Sequence, residues 1–383
     1  MKIGVIGAGR LGICFALLLE QSGYEVVASD VREEYVKSLQ ERKIDTHEPE
    51  VQQLLSKATN ITFKTGNREV IEECDILYTL VATPSLPDGS YDISAIWRVV
   101  SDIQEMNIDV SGKSFVVGCT TNPGDCELFK KQLESYGIDV FYNPEFIAQG
   151  SIIKDLQNAD MVLIGGNGNH LETLNEIYSK IQVTDPHVYN MSITSAELVK
   201  LAVNCFLTTK ISYANMVGEV MSLAGLDDEI PSVLNAIGAD TRVGPKYLKY
   251  GYGFGGPCLP RDNRSFAAYA KKLGLEYNLG KTTDDFNKKH LEFLKNYFIS
   301  KNVDDCAYYF DHISYKKGTD ILVESHQYSL CLSLLNAGFN VYINDVEVII
   351  NQVKEYLQQQ FSDKVKFIKN EDELPEKIIP IKF

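Results

Sequence analysis

Lys2-Ile-Gly-Val-Ile6, then Gly7-Ala-Gly-Arg-Leu-Gly12, then Ile13-Cys-Phe-Ala-Leu-Leu-Leu-Glu-Gln21 is the stretch on which the fold turns. A short apolar strand leads into G-x-G-x-x-G and an apolar helix leaves it. Glycine-rich turns are common, so the spacing alone says little. The strand before and the helix after supply the context that a dinucleotide site requires. Gly7 allows the tight turn, Gly9 lets the backbone approach a pyrophosphate, and Gly12 lets helix and strand pack closely. Arg10 and Leu11 stand between them at the helix N-terminus, whose N–H groups receive phosphate. Asp30 ends the second strand, where a carboxylate hydrogen-bonds the adenosine ribose and repels a 2′-phosphate. NAD is therefore expected over NADP, with Arg32 near enough to offset part of that preference. The competing reading is a structural glycine turn beside a solvated aspartate.

Outward from this turn, strand-like runs recur at Glu25–Ser29, Asp75–Val81, Ser114–Gly118, Asp139–Tyr142 and Met161–Ile164. Helical patterns or turn signals separate most of them, which predicts an α/β fold, a Rossmann-type doubly wound parallel sheet covered on both faces, over residues 1–193. From Ser192 to Gly225 the apolar residues take helical spacing through Leu198, Leu201, Ala202, Cys205 and Phe206. Ser192 or Thr194 can cap the start and Gly225 the end of one unusually long helix. It opens a central helical region, 194–290. A smaller, partly degenerate α/β domain follows over 291–383, with Ala307–Phe310 and Asn340–Ile343 as strands, and Ser329–Ala337 and Val348–Gln360 as helices. The run Asp305–His312 is a poor copy of an opening Rossmann strand, with no glycine fingerprint after it.

Composition removes several classes. The 383 residues carry 37 Lys+Arg against 52 Asp+Glu, a net charge of −15, so no basic face is on offer to a nucleic acid. Apolar runs such as Leu17-Leu-Leu19 are too short to span a bilayer. The N-terminal stretch imitates a signal peptide, but Arg10 and the glycines interrupt it. Eight scattered cysteines without a C-x-x-C pair give neither a metal site nor a disulfide framework, and a reducing cytoplasm is the expected location.

The second chemical signal is Gly253-Phe-Gly-Gly-Pro-Cys-Leu-Pro-Arg-Asp262, a tight irregular loop just before a helix over Asn263–Leu273. A cysteine there gains thiolate character from the helix N-terminus and from Arg261. A single cysteine is more often a buried small hydrophobe, and both readings stand on the residues alone. Lys200 and Asn204, at i and i+4, share one face of the long helix, where they can stabilise a substrate oxyanion or be solvated.

Together these pieces resemble the UDP-glucose/GDP-mannose dehydrogenase family. The resemblance rests on Gly7–Gly12, Val81-Ala-Thr-Pro84, Cys119-Thr-Thr-Asn-Pro-Gly124, Asn143-Pro-Glu-Phe146, Lys200 with Asn204, Arg242, Gly253–Asp262 and Tyr315-Lys-Lys317, in family order over most of the chain. It implies oxidation of the C6 alcohol of a nucleotide sugar, UDP-glucose first among them, to a carboxylate with two NAD and one water. It implies Cys258 as nucleophile, Lys200 at the alkoxide, and Asn204 and Thr120 holding a water or the oxyanion. Asp262 would accept the proton, and Glu145 would activate the water that hydrolyses a thioester. For the cofactor it implies Gly7, Gly9, Arg10, Leu11, Gly12, Asp30, Thr83, Thr120, Gln149 and Arg261. For the sugar it implies Glu145, Lys200, Asn204, Tyr247, Tyr250, Gly251, Gly255 and Lys316, with Arg242 crossing from the neighbour in a homodimer built on the long helix. No metal is implied.

The chain departs from the family pattern in places. Gln149 stands where a second glutamate is usual, and Val323 where an arginine precedes Glu324-Ser325. The chain stops at Phe383, before the closing strand of the third domain is expected to be complete. Two other readings remain. One is a single-hydride enzyme of the β-hydroxyacid or 6-phosphogluconate type, which needs no cysteine. The other is a dinucleotide-binding homologue without turnover.

Overall fold

The computed structural model describes residues 1–304 and 306–383, so Asp305, which begins the weak Rossmann-like run noted above, lies outside the described residues. The chain divides into two compact units, Met1–Leu201 and Ala202–Phe383. The first is built on strands β1 (Lys2–Ile6), β2 (Glu25–Asp30), β3 (Ile61–Thr65), β4 (Ile76–Thr79), β5 (Ser114–Val117), β6 (Asp139–Tyr142), β7 (Met161–Gly165) and β8 (His187–Met191). They form one eight-stranded sheet in the order β3-β2-β1-β4-β5-β6-β7-β8.

The strands β1 to β6 are parallel and their central members are almost wholly buried, because helices cover both faces. One departure from the expected parallel sheet occurs at the β6–β7 junction, which is antiparallel and held by the single pair Tyr142↔Gly165. Apolar runs carry no direction, so the reversal is invisible in the sequence. Because β6 runs parallel to β5, β4 and β1, the segment after Tyr142 leaves the sheet at the same rim as the glycine turn. The helix Arg10–Gln21 buries Gly12 to Leu19 without a break, which explains its nearly continuous apolar run.

Ser192 Oγ accepts from Ser195 N at 3.3 Å at the start of the long helix Ile193–Leu223. That helix begins in the first unit and continues into the second. It ends where Leu226 N reaches back to the Met221 carbonyl at 2.9 Å and Gly225 turns with φ +75°. The second unit adds helices Ile230–Ala239, Leu259–Lys272 and Leu279–Lys301. Its four-stranded parallel sheet has the order β11-β10-β9-β12, from β9 (Ala307–Phe310), β10 (Val341–Ile343), β11 (Val365–Phe367) and β12 (Ile378–Pro380). Helices His326–Asn336 and Glu347–Phe361 pack on it around Tyr308, Phe310, Leu330 and Val353. No helix among the described residues is long and apolar enough to cross a membrane.

Candidate active site

The glycine turn and the strand ends beside it border a cleft of about 730 Å³ in the first unit, lined by Gly7, Gly9, Asp30, Arg32, Asn67, Val81, Ala82, Arg98, Ser101 and Asp102 among others. Each glycine has its own reason. Gly7 holds φ +93°, and a Cβ there would lie 2.6 Å from the Leu80 carbonyl oxygen. A Cβ on Gly12 would meet the Gly7 carbonyl oxygen at 1.9 Å, so helix and strand could not pack. Gly9 faces open space, with nothing within 4 Å of where its Cβ would be. That opening lies at the N-terminus of the helix Arg10–Gln21, where the first-turn N–H groups have no intrahelical acceptor. The residues therefore fit a dinucleotide's pyrophosphate.

At the far edge, Arg32 grips Asp30 with both arms of its guanidinium, Nε to Oδ1 at 2.8 Å and Nη2 to Oδ2 at 2.9 Å. Burial works to raise the Asp30 carboxyl, but the Arg32 hydrogen bonds outweigh it and hold the group below its ordinary value. Arg32 also stacks on the Tyr35 ring at 4.2 Å. Asn67, Arg98 and Asp102 were not anticipated here. Asn67 donates to Asp102 at 2.7 Å and accepts from Ser29, so β2 is tied to the helix Ser94–Glu105. Thr83 is buried, and Arg10 reaches Gln149 at 3.1 Å.

A second cluster of the first unit gathers on the loop after β6. Lys200 Nζ donates to the Glu145 carbonyl at 2.8 Å and lies 4.7 Å from the centre of the Phe146 ring. Burial pushes the Glu145 carboxyl up to about 7, against the Tyr178 hydroxyl and the Lys200 charge, which pull it down. Thr120 stands half-buried in the loop after β5. That loop is fastened by Glu197, wholly buried one turn before Lys200, which accepts from Thr121 Oγ1 at 2.8 Å, Gly124 N at 2.6 Å and Cys126 N at 3.0 Å. Tyr178 and Glu197 escape sequence reading because their partners lie far off in the chain.

In the second unit Cys258 is the N-cap of the helix Leu259–Lys272 and the exposed member of the eight cysteines, the others being buried or half-buried. One turn on, buried Asp262 accepts from Asn204 Nδ2, so these two predicted residues meet. The loop before Cys258 is held through its backbone. Asn287 accepts from Phe254 N at 3.0 Å and donates to Phe254 O at 2.9 Å, while His326 Nδ1 accepts from Gly253 N at 3.0 Å. Gly256 N donates to the Val323 carbonyl at 3.1 Å, so Val323 contributes through its main chain whatever its side chain. A Cβ on Gly255 would lie 2.4 Å from the Glu324 carbonyl oxygen.

The remaining predicted sugar contacts are spread over the second unit. Gly251 is held at both ends, its N–H on Asn215 Oδ1 at 3.0 Å and its carbonyl 2.6 Å from His290 Nε2. Half-buried Tyr250 makes T-shaped ring contacts with His290 and Phe383, whereas Tyr247 and Lys316 are exposed. Arg242 is highly exposed and bidentate to Asp240, at 3.0 and 2.7 Å, rather than to any other predicted site residue. Arg261 is half-buried next to Asp262.

The family model described as "UDP-glucose/GDP-mannose dehydrogenase family, NAD binding domain" matches residues 1–182, and that family's central-domain model matches residues 194–289. The chain is 29% identical over 381 residues to the UDP-glucose 6-dehydrogenase AglM of Haloferax volcanii, covering 95% of this chain and 87% of that protein. It is 31% identical over 297 residues to the UDP-glucose 6-dehydrogenase TuaD of Bacillus subtilis, 75% of this chain and 63% of that one. Among solved structures, a UDP-glucose dehydrogenase from Pyrobaculum islandicum superposes with TM-score 0.84 at 26% identity, over 99% of this chain and 89% of that one. With the glycine turn, the Asn-Pro-Glu-Phe loop and the cysteine loop in place, the chain belongs to the UDP-glucose/GDP-mannose dehydrogenase family.

Proposed function

We propose that the protein is an NAD-dependent nucleotide-sugar 6-dehydrogenase, with UDP-glucose its first candidate substrate, working through a covalent bond to Cys258. The observation that carries this reading is the exposed Cys258 at a helix N-terminus, one turn from the buried Asn204–Asp262 pair. Helix N-termini favour thiolate over thiol, and a substrate can reach an exposed sulfur. Gly7–Gly12, Asp30, Thr83, Gln149 and Arg261 would hold NAD, which would supply the hydride acceptor.

The sugar's C6 alcohol loses its proton towards Asp262, through a water held by Asn204 and Thr120, and a hydride from C6, becoming an aldehyde. Lys200 stabilises the negative oxygen as the proton leaves. The Cys258 thiolate adds to the aldehyde carbon, and the thiohemiacetal loses a second hydride to become a thioester. Glu145 takes a proton from water, the oxygen adds to the thioester carbonyl, and the carbon–sulfur bond breaks to return the thiolate and release a carboxylic acid, which gives its remaining proton to solvent. Gly251, Gly255, Tyr247, Tyr250 and Lys316 would line the sugar site.

A second copy of the chain completes the reading. Phe206, Tyr213, Met216, Val220 and Leu223 recur at helical spacing as an exposed apolar stripe, with Phe206 at 63%, Val220 at 61% and Leu223 at 80% exposure. A homodimer on this stripe would cover it and bring Arg242 to the partner's site. The functional test is purified protein with NAD and a panel of UDP- and GDP-sugars, reading NADH and the mass of the sugar product. A product heavier by the mass change of alcohol to acid on one sugar supports the proposal. No turnover on any sugar favours a binding homologue without activity.

A further inference from the structure

Glu145 is faced by groups from three elements. The Tyr178 hydroxyl, on the helix Leu171–Ile181, lies 2.5 Å from Glu145 Oε1. Lys200, on the long helix, holds the Glu145 carbonyl and brings its charge. Buried Tyr78, on β4, is held far above its ordinary value by burial and then by the Glu145 charge. The same Tyr178 oxygen lies 2.7 Å from Asn143 Oδ1. Asn143 is buried, and its Nδ2 donates to the Leu163 carbonyl at 2.9 Å, which sets the amide's orientation. Its Oδ1 can therefore only accept.

A phenol carries one proton, and here two acceptors compete for it. When Glu145 is ionised, the tyrosine proton serves one acceptor and leaves the other oxygen contact without a hydrogen. When Glu145 is protonated, an unbroken chain forms. Glu145 donates to Tyr178, Tyr178 to Asn143, and Asn143 to the Leu163 carbonyl. The ionised form gains a charge-assisted hydrogen bond from Tyr178 but leaves Asn143 Oδ1 unpaired, so Tyr178 favours the carboxylate and Asn143 opposes it.

We propose that Tyr178 and Asn143 are positioning residues for Glu145 which decide when it holds a proton. Asn143 competes for the tyrosine proton, and Tyr178 swings that proton from Glu145 to Asn143 as Glu145 takes one from water. The inference rests on reading Glu145 as the base of thioester hydrolysis. A carboxylate that titrates at about 7 is available at neutral pH and still a useful base. In the hydrolytic step one water O–H bond breaks and its proton goes to Glu145. The water oxygen bonds the thioester carbon, and the C–S electron pair returns to sulfur.

The test follows the carboxylic-acid infrared band of Glu145, identified as the band that Glu145→Gln removes, against pH. Asn143→Leu frees the tyrosine proton for Glu145 and moves the midpoint down by roughly one pH unit. Tyr178→Phe withdraws a donor from the ionised carboxylate and moves the midpoint up by a similar amount. Opposite shifts are the expected result. Shifts of one sign, or none in either variant, overturn the proposal. Circular dichroism checks each fold, and Asn143→Ala replaces the leucine variant if that one does not fold. The lifetime of the Cys258 adduct in Glu145→Gln tests the underlying reading separately. Infrared shifts as expected, with an adduct that hydrolyses at the native rate, keep the proton coupling and remove Glu145 as the base.

Discussion

Arg10 Nη1 donates to Gln149 Oε1 at 3.1 Å, tying the dinucleotide turn to the loop that carries Glu145 across 139 residues of sequence. A neutral amide at 149 orients the guanidinium without neutralising it. Gln149→Glu converts the contact into an ion pair that competes with phosphate for Arg10. NAD binding to the sugar-free protein, by isothermal titration, is expected to weaken roughly two- to fivefold, the scale of an exposed ion pair. Unchanged or tighter binding would show that Arg10 does not attend the cofactor.

Asp30 and Arg32 form a closed bidentate pair in the lining of the cleft, where the proposed function puts the adenosine ribose. While the pair holds, the carboxylate repels a 2′-phosphate and the guanidinium is occupied. Asp30→Ala removes the repulsion and releases Arg32. The ratio of kcat/KM for NAD over NADP should fall by roughly tenfold or more, as one charge-assisted contact is exchanged for another. A native enzyme that uses both cofactors equally would contradict this account of the pair.

His326 holds the cysteine loop as an acceptor, and burial followed by the neighbouring His290 pushes it down from 6.5 to about 4. The folded form therefore stays neutral while the unfolded chain takes up a proton. The histidine's contribution is fully present above pH 6.5 and is lost as the pH falls towards 4. His326→Asn keeps an acceptor near Gly253 and cannot titrate. Its Tm should drop less than the native Tm between pH 7 and pH 5, and equal drops in scanning calorimetry would remove His326 as the titrating group.

The core of the first unit was legible because β1, β2, β4, β5, β6 and β7 are buried apolar runs punctuated by turns. The edges were not. β3 reads Ile61-Thr-Phe-Lys-Thr65 with one face exposed, and β8, His187–Met191, is mostly open to solvent. Edge strands bury one face or none, so they lack the run that marks a central strand. In the second unit β9 and β10 were legible, while β11 and β12, each a short edge-side strand, were not. The site divides similarly. Cys258, Glu145 and the glycine turn sit in motifs whose chemistry is local. Tyr178, Glu197, Asn287 and His326 act through partners that only the fold brings near, and nothing beside them in the sequence marks them.

The shared-site dimer is tested by complementation. Arg242→Ala and Cys258→Ser are each expected to be nearly inactive. Co-expressed, random pairing makes about half the dimers mixed, each with one intact site of two, so activity should recover to roughly a quarter of native. Arg242 is bidentate to Asp240 in its own chain and highly exposed, so a surface role predicts little loss from Arg242→Ala alone. A mixture no more active than the separate variants would leave Arg242 acting within its own chain or not at all.

The covalent, four-electron reaction is the central claim, and counting NADH against nucleotide sugar consumed tests it most directly. With limiting sugar and excess NAD, the account predicts two NADH for each sugar converted to its carboxylate, falling to no steady turnover in Cys258→Ser while NAD still binds. One NADH per sugar, or two with Cys258→Ser as active as the native protein, would contradict it.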